Sequence, residues 1–273
     1  MGRSPWTAAD APVGLLAPCK TLTPLFRMRD EGVPRRPWGL PHNFRSIANS
    51  GKTSGIRLPG CLELGRIAID HGARALLLPM PHFFPYAQGD LHAFCAAVAA
   101  RLDAPILLYN LPRFTTPLTL ETVRGLIESV PNIRGIKDSS GTLALLGGLG
   151  AGACRIVGDD SVLVAALDAG VCDGVVSGVA GVLPELTTFL FDRRNSAAYP
   201  RAVELLDELV RHLAALPVPW GLKLIAECRG VTPAWFSQPL SAARTTQANQ
   251  FRAWFPSWWA QWESAVGGCA IKP

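Results

Sequence analysis

The sequence predicts a parallel α/β body followed by an all-helical region. Three observations carry this expectation. From residue 60 onward, short apolar segments alternate with segments of helical periodicity. The polar residues of that stretch gather where the apolar segments end. Near residue 195 the alternation stops, and helical periodicity alone continues. Strands that alternate with helices pair in parallel through crossover connections. The expected division is a body over 1–195, irregular over 1–60, and a helical region over 196–273.

In chain order, the first 60 residues offer two strand candidates, VGLLAP (13–18) and FRSIANS (44–50). Between them RMRDEGVPRRPWGLPHN has no periodicity. Buried strands are then expected at 73–80 (ARALLLPM), 105–112 (PILLYNLP), 132–139 (NIRGIKDS), 154–160 (CRIVGDD) and 173–179 (DGVVSGV). Helices are expected at 61–72, 90–102, 118–130, 161–170 and 183–191. Thr119 with Thr122 opens the third of these, and Asp160-Ser161 opens the fourth. Further on, apolar residues at 203, 205, 206, 209, 210 and 213 give an amphipathic helix over 196–216. A second follows over 219–229 and a third over about 240–265. Two architectures fit the body: a doubly wound sheet and a (β/α)8 TIM barrel. No G-x-G-x-x-G follows a strand, which weighs against the first. The strand candidates number seven, so a barrel here is one β/α unit short near the N-terminus.

Of the 273 residues 49% are apolar and 17% charged, enough for a sizeable core and too apolar for a disordered chain. The net charge of +5 is spread along the chain. Its densest basic patch, Arg27, Arg29, Arg35 and Arg36, is broken by Asp30, Glu31 and proline, and reads as a solvated loop rather than a nucleic-acid surface. Seven cysteines with no C-x-x-C pair fit free thiols in a reducing cytoplasm. No apolar run approaches about 18 residues, so no membrane partner is expected. The N-terminus has no secretory pattern, and Trp6 stands where a myristoylation signal needs Ser or Thr.

Weaker motifs take structural readings. Gly51-Lys52-Thr53 lacks the earlier glycine of a phosphate loop, since Ser46 stands there, and reads as a polar loop. His71, His82 and His92 lack the spacing of a metal site, and no metal is expected. Gly158-Asp159-Asp160 ends a strand and caps a helix. The four tryptophans of FRAWFPSWWAQWE (251–263) read as packing against the body or another subunit. A membrane-surface helix would carry more Lys and Arg.

Lys137 lies inside the strand segment NIRGIKDS. A buried ammonium is costly, and burial disfavours the charged form. A neutral amine is a nucleophile that condenses with a carbonyl to an imine. Strand alternation puts Gly135 and Ser139 on the face of Lys137 and Asp138 on the other, and Gly135 leaves space beside the amine. Imine chemistry also moves protons. Tyr109 ends the neighbouring strand, about 4.8 Å away if the two pair. On these residues alone a second reading stands beside the catalytic one: a strand-end lysine reaching solvent beside a core tyrosine.

LLYNLP (107–112), GIKDSSG (135–141), VGDD (157–160), GVVSGVAGVLPE (174–185) and PVPWGLKLIAECRG (217–230), in this order, resemble the dihydrodipicolinate synthase / N-acetylneuraminate lyase family. The resemblance covers about residues 61–265. It implies a (β/α)8 barrel with a C-terminal helical region, a homotetramer, and a class I (Schiff-base) aldolase or lyase. Such an enzyme acts on pyruvate or another small 2-oxo acid and needs no cofactor. The resemblance makes Lys137 the Schiff-base lysine and Tyr109 the proton relay. It sets Gly158 and the Val176 carbonyl around the bound keto acid.

Three departures shape the expectation. The family's Gly-Thr-Thr-Gly-Glu-like loop, which holds the substrate carboxylate, has no counterpart. TLTP (21–24) resembles the family's first strand end and SIANSG (46–51) its third, so about a helix and a strand are missing between them. That part is a truncated or rearranged copy, or a misread of the gene. Phe83 stands where synthases carry a tyrosine. Phe114 stands where they carry an arginine, with Arg113 one place early. The last two favour sugar-derived 2-keto-3-deoxy acids over aspartate semialdehyde. The alternatives are a 4-hydroxy-tetrahydrodipicolinate synthase and an impaired relative lacking the carboxylate-binding loop.

Overall fold

A computed structural model describes residues 44–46, 58–237 and 239–266. The strand candidate at 13–18, the segment 21–24, the basic stretch 27–36 and residues 47–57 with Gly51-Lys52-Thr53 lie outside the described residues.

The described strands are β1 (Phe44–Ser46), β2 (Ala75–Pro79), β3 (Ile106–Asn110), β4 (Ile133–Asp138), β5 (Cys154–Val157) and β6 (Gly174–Val175). All pair in parallel, in strict chain order. A doubly wound sheet reverses its order at a switch point. Here the order runs one way, as in a barrel wall. The crossovers are α1 (Leu58–Asp70), α2 (Gln88–Ala99), α3 (Leu120–Ser129), α4 (Ala144–Gly148) and α5 (Leu163–Asp168). Leu76, Leu78, Leu108 and Ile136 are fully buried, as expected of strands covered on both faces.

Local chemistry sets the helix starts. Thr119 accepts the backbone N–H of Thr122 at 3.2 Å and opens α3. Asp159 accepts the N–H of Ser161 at 3.0 Å, starting a 3-10 turn (Asp160–Val162) that leads into α5. The short α4 has no helical signature in the sequence, because Gly147, Gly148, Gly150 and Gly152 mask its single turn. The sequence predicts a strand over 173–179, yet β6 spans Gly174–Val175 alone. Ser177 ends it by accepting the N–H of Ala180.

By its own contacts the chain divides into two compact units, with the change between Val176 and Ser177. The second holds α6 (Gly178–Val182), α7 (Pro184–Asp192), α8 (Tyr199–Ala214), α9 (Trp220–Cys228) and α10 (Ala242–Val266). Ala202, Leu205, Leu206 and Leu209 form the buried stripe of α8. The tryptophans of α10 pack within this unit. Trp258 donates from Nε1 to the Leu205 carbonyl at 3.0 Å, and Trp254 donates to Glu208 at 3.0 Å. Trp262 meets Phe189 edge-on, with ring centroids 5.5 Å apart. Arg229 lies over Trp259 and pairs with Glu185 at 2.5 Å. Two of its indoles, the buried Trp258 and the half-buried Trp254, find their hydrogen-bond acceptors on α8. No described helix is long and apolar enough to cross a membrane.

Candidate active site

The register of β3 on β4 builds the site. Tyr109 pairs with Lys137, and Asn110 with Asp138. Parallel pairing in register points the first two side chains to one face and the next two to the other. The first face is defined by a buried cluster of Leu77, Leu107, Cys154, Ile156 and Val176, against which Tyr109 packs.

Lys137 is 8% exposed, and its Nζ lies 4.0 Å from the centroid of the Tyr109 ring. The side chain is therefore buried, not drawn out to solvent. An amine over the face of a ring is attracted to it when charged. The Tyr109 ring is thereby brought to the amine on the same face of the sheet.

Gly158 closes the site from the end of β5. Its N–H donates to the Asp138 carbonyl at 2.8 Å. A Cβ at this position would lie 2.2 Å from Ser139 Oγ and 2.8 Å from Lys137 Cε. The glycine thus leaves the space that the lysine stem and the serine hydroxyl occupy. Ser139 Oγ is buried with no hydrogen-bond partner among the described residues. Val176 is buried, and its N–H donates to the Val157 carbonyl at 2.9 Å, carrying the ladder one residue past β6.

Gly135 serves differently from the sequence expectation. A Cβ there would lie 2.0 Å from the carbonyl oxygen of Cys154. Its role is the close approach of β4 to β5, beside a register irregularity at Ile106/Leu107. The room beside the amine comes from Gly158.

Asp138 is buried and its acceptors are taken. Asn110 Nδ2 donates to Oδ1 at 2.7 Å, the Ser140 N–H donates to Oδ1 at 3.1 Å, and the Ser140 hydroxyl donates to Oδ2 at 2.8 Å. Sequence reasoning placed Asp138 on the far face and missed Asn110. The available signal was the pair of dipeptides Tyr109-Asn110 and Lys137-Asp138 at neighbouring strand ends.

Around the rim, the loops after β2 and β3 are joined by a bridge between His82 and Thr115. Phe83, Phe84 and Phe114 are exposed there, and so is Arg113. Phe83 takes a positive φ of 86°. Among the described residues no three His, Cys, Asp or Glu side chains form a metal-binding group. His71 Nδ1 donates to the Ile67 carbonyl at 2.8 Å.

Comparison with known proteins gives three findings. The model of the dihydrodipicolinate synthetase family matches residues 47–255. A 4-hydroxy-tetrahydrodipicolinate synthase from Sorangium cellulosum is 34% identical over 197 residues, covering 69% of this chain and 65% of that protein. The chain therefore spans just under two thirds of that relative's length. Among solved structures, YagE from E. coli K12, a prophage protein of the dihydrodipicolinic acid synthase family in complex with pyruvate, superposes with a TM-score of 0.68. It is 22% identical and covers 79% of this chain and 74% of its own. KD(P)GA from T. tenax gives a TM-score of 0.64 at 23% identity, covering 78% and 76%. These likenesses show the TIM-barrel fold.

Proposed function

The chain belongs to the dihydrodipicolinate synthetase family, and on that premise we propose that it is a class I aldolase or lyase of 2-oxo acids. The observation that carries this reading is the buried Lys137 amine, 4.0 Å from the Tyr109 ring centroid.

In the proposed cycle, Lys137 Nζ attacks the C2 carbonyl of the 2-oxo acid. The carbinolamine loses water as Tyr109 passes a proton to its hydroxyl. The resulting iminium withdraws the electron pair of the C3–C4 bond. That bond breaks as the C4 hydroxyl gives up its proton, and an aldehyde departs. The remaining enamine takes a proton at C3, and water releases pyruvate and the free lysine. In reverse, the enamine adds to an aldehyde. Gly158 and Val176 line the space beside the amine. No metal or organic cofactor takes part.

A 2-keto-3-deoxy sugar acid is the substrate class that fits best. Phe83 has no hydroxyl and Phe114 no guanidinium with which to hold a second carboxylate. YagE holds pyruvate, which makes pyruvate the first ligand to try. The name of the Sorangium relative favours a second reading, condensation of pyruvate with aspartate semialdehyde. We place the protein in the cytoplasm as a homo-oligomer with a small-molecule substrate.

The test measures pyruvate release from a panel of 2-keto-3-deoxy sugar acids, beside condensation with aspartate semialdehyde. Release by the wild type and none by Lys137→Ala supports the lyase. Condensation alone supports the synthase. Neither reaction, in a folded protein, marks an impaired relative.

A further inference from the structure

We propose that Asn110 and Asp138 are positioning residues that fix Lys137 against Tyr109. This rests on the Schiff-base reading of Lys137 and goes beyond it. Among the described side chains of the sheet the two are the most buried polar ones, at 1% and 2% exposure. They are consecutive with the catalytic pair and in register with each other: Tyr109 faces Lys137, then Asn110 faces Asp138. The catalytic side chains thus lie on one face of two strand ends, and the amide and carboxylate join the same ends from the opposite face.

Strand ends splay where ladder bonds stop, and here the ends are tied. The 2.7 Å bond from Asn110 Nδ2 to Asp138 Oδ1 crosses from β3 to β4. Asn110 Oδ1 accepts the N–H of Leu118 at 3.0 Å, anchoring the loop that leaves β3. Asp138 accepts from the Ser140 N–H and hydroxyl, anchoring the loop that leaves β4. Ser139 donates its N–H to the Asn110 carbonyl at 3.0 Å, and Gly158 donates to the Asp138 carbonyl at 2.8 Å. A buried carboxylate with three donors is a strong and directional tie. Its negative charge is also satisfied away from the amine, so Lys137 remains available to a ketone.

A structural pair would contribute stability alone. A positioning pair also sets the rate at which the amine reaches its substrate, since reaction rate is sensitive to misplacement on the scale of about 1 Å. The experiment follows borohydride trapping of pyruvate on wild type, Asn110→Ala, Asp138→Ala and Asp138→Asn. The trapping rate is measured at saturating pyruvate, with the half-saturating concentration recorded separately. The alanine variants are expected to trap about 10- to 100-fold more slowly at saturation, with little change in half-saturation. Asp138→Asn keeps an acceptor for Asn110 and the Ser140 N–H, and its amide donates to the Ser140 hydroxyl, so it recovers most of the rate. Wild-type trapping rates in folded alanine variants overturn the proposal. So does an Asp138→Asn variant as slow as Asp138→Ala. Should the alanine variants not fold, Ser140→Ala decides: it removes one donor to Asp138, and several-fold slower trapping supports the tie while an unchanged rate overturns it. A wild type that traps no pyruvate refutes the Schiff-base reading itself, a result distinct from failure of the tie.

Discussion

Replacing Gly158 by alanine tests the packing around the amine. The new Cβ would meet Ser139 Oγ at 2.2 Å, Lys137 Cε at 2.8 Å and the Asp138 carbonyl oxygen at 3.0 Å. The serine hydroxyl can rotate away. The Asp138 carbonyl is held by the Gly158 N–H and yields little. Ordinary carbon–carbon contact begins near about 3.5 Å, so Cε, at 2.8 Å, must retreat by roughly 0.7 Å. That retreat carries Nζ with it. Overpacking of this kind costs about 1–3 kcal/mol of stability, and since a misplacement of about 1 Å at a reacting group costs up to about 100-fold, a slowing of about 10- to 100-fold is expected. Urea denaturation reads the first effect, and the rate of borohydride trapping with pyruvate reads the second. A folded Gly158→Ala protein that traps at the wild-type rate would refute the reasoning, because the methyl group would then fit without moving the lysine.

Three further outcomes are expected. Asp173→Ala removes a bidentate partner of Arg155, held at 2.9 and 3.0 Å with both side chains 12% exposed. It should cost about 3 kcal/mol in urea denaturation, and a loss below about 1 kcal/mol would contradict it. Burial holds the His212 imidazole, stacked 3.6 Å from Trp254, below its ordinary value of 6.5; Glu208 opposes the shift and Arg211 adds to it. A depressed value means the unfolded chain binds the proton first. Stability should therefore fall as pH drops through and below 6.5, and His212→Phe should flatten that fall in thermal melts. Burial pushes the Cys61 thiol up to about 11 and those of Cys95 and Cys172 up to about 12, whereas Cys228 is exposed. Among the described cysteines, alkylation at neutral pH should label Cys228 first by peptide mass, and prior labelling of Cys95 would contradict this.

The body was legible because buried parallel strands are short apolar runs, and five such runs coincide with β2 to β6. The pairing of Tyr109 with Lys137 was legible from alternation and strand order. What escaped depends on distances that sequence does not carry. Gly135 and Gly158 look alike in sequence, yet one admits the backbone of Cys154 and the other the stem of Lys137. Asn110 reads in sequence as one more residue of the strand segment 105–112, and its partner lies 28 residues away. The α10 aromatics had no visible partner because Leu205, Glu208 and Phe189 sit in segments read separately.

The central claim is an imine at one lysine. Wild type and Lys137→Ala, each incubated with pyruvate and reduced with borohydride, are digested and mapped by mass spectrometry. The account predicts one reduced pyruvate adduct, confined to the peptide bearing Lys137 and absent from the variant. An adduct elsewhere, or an equal adduct on both proteins, would contradict it.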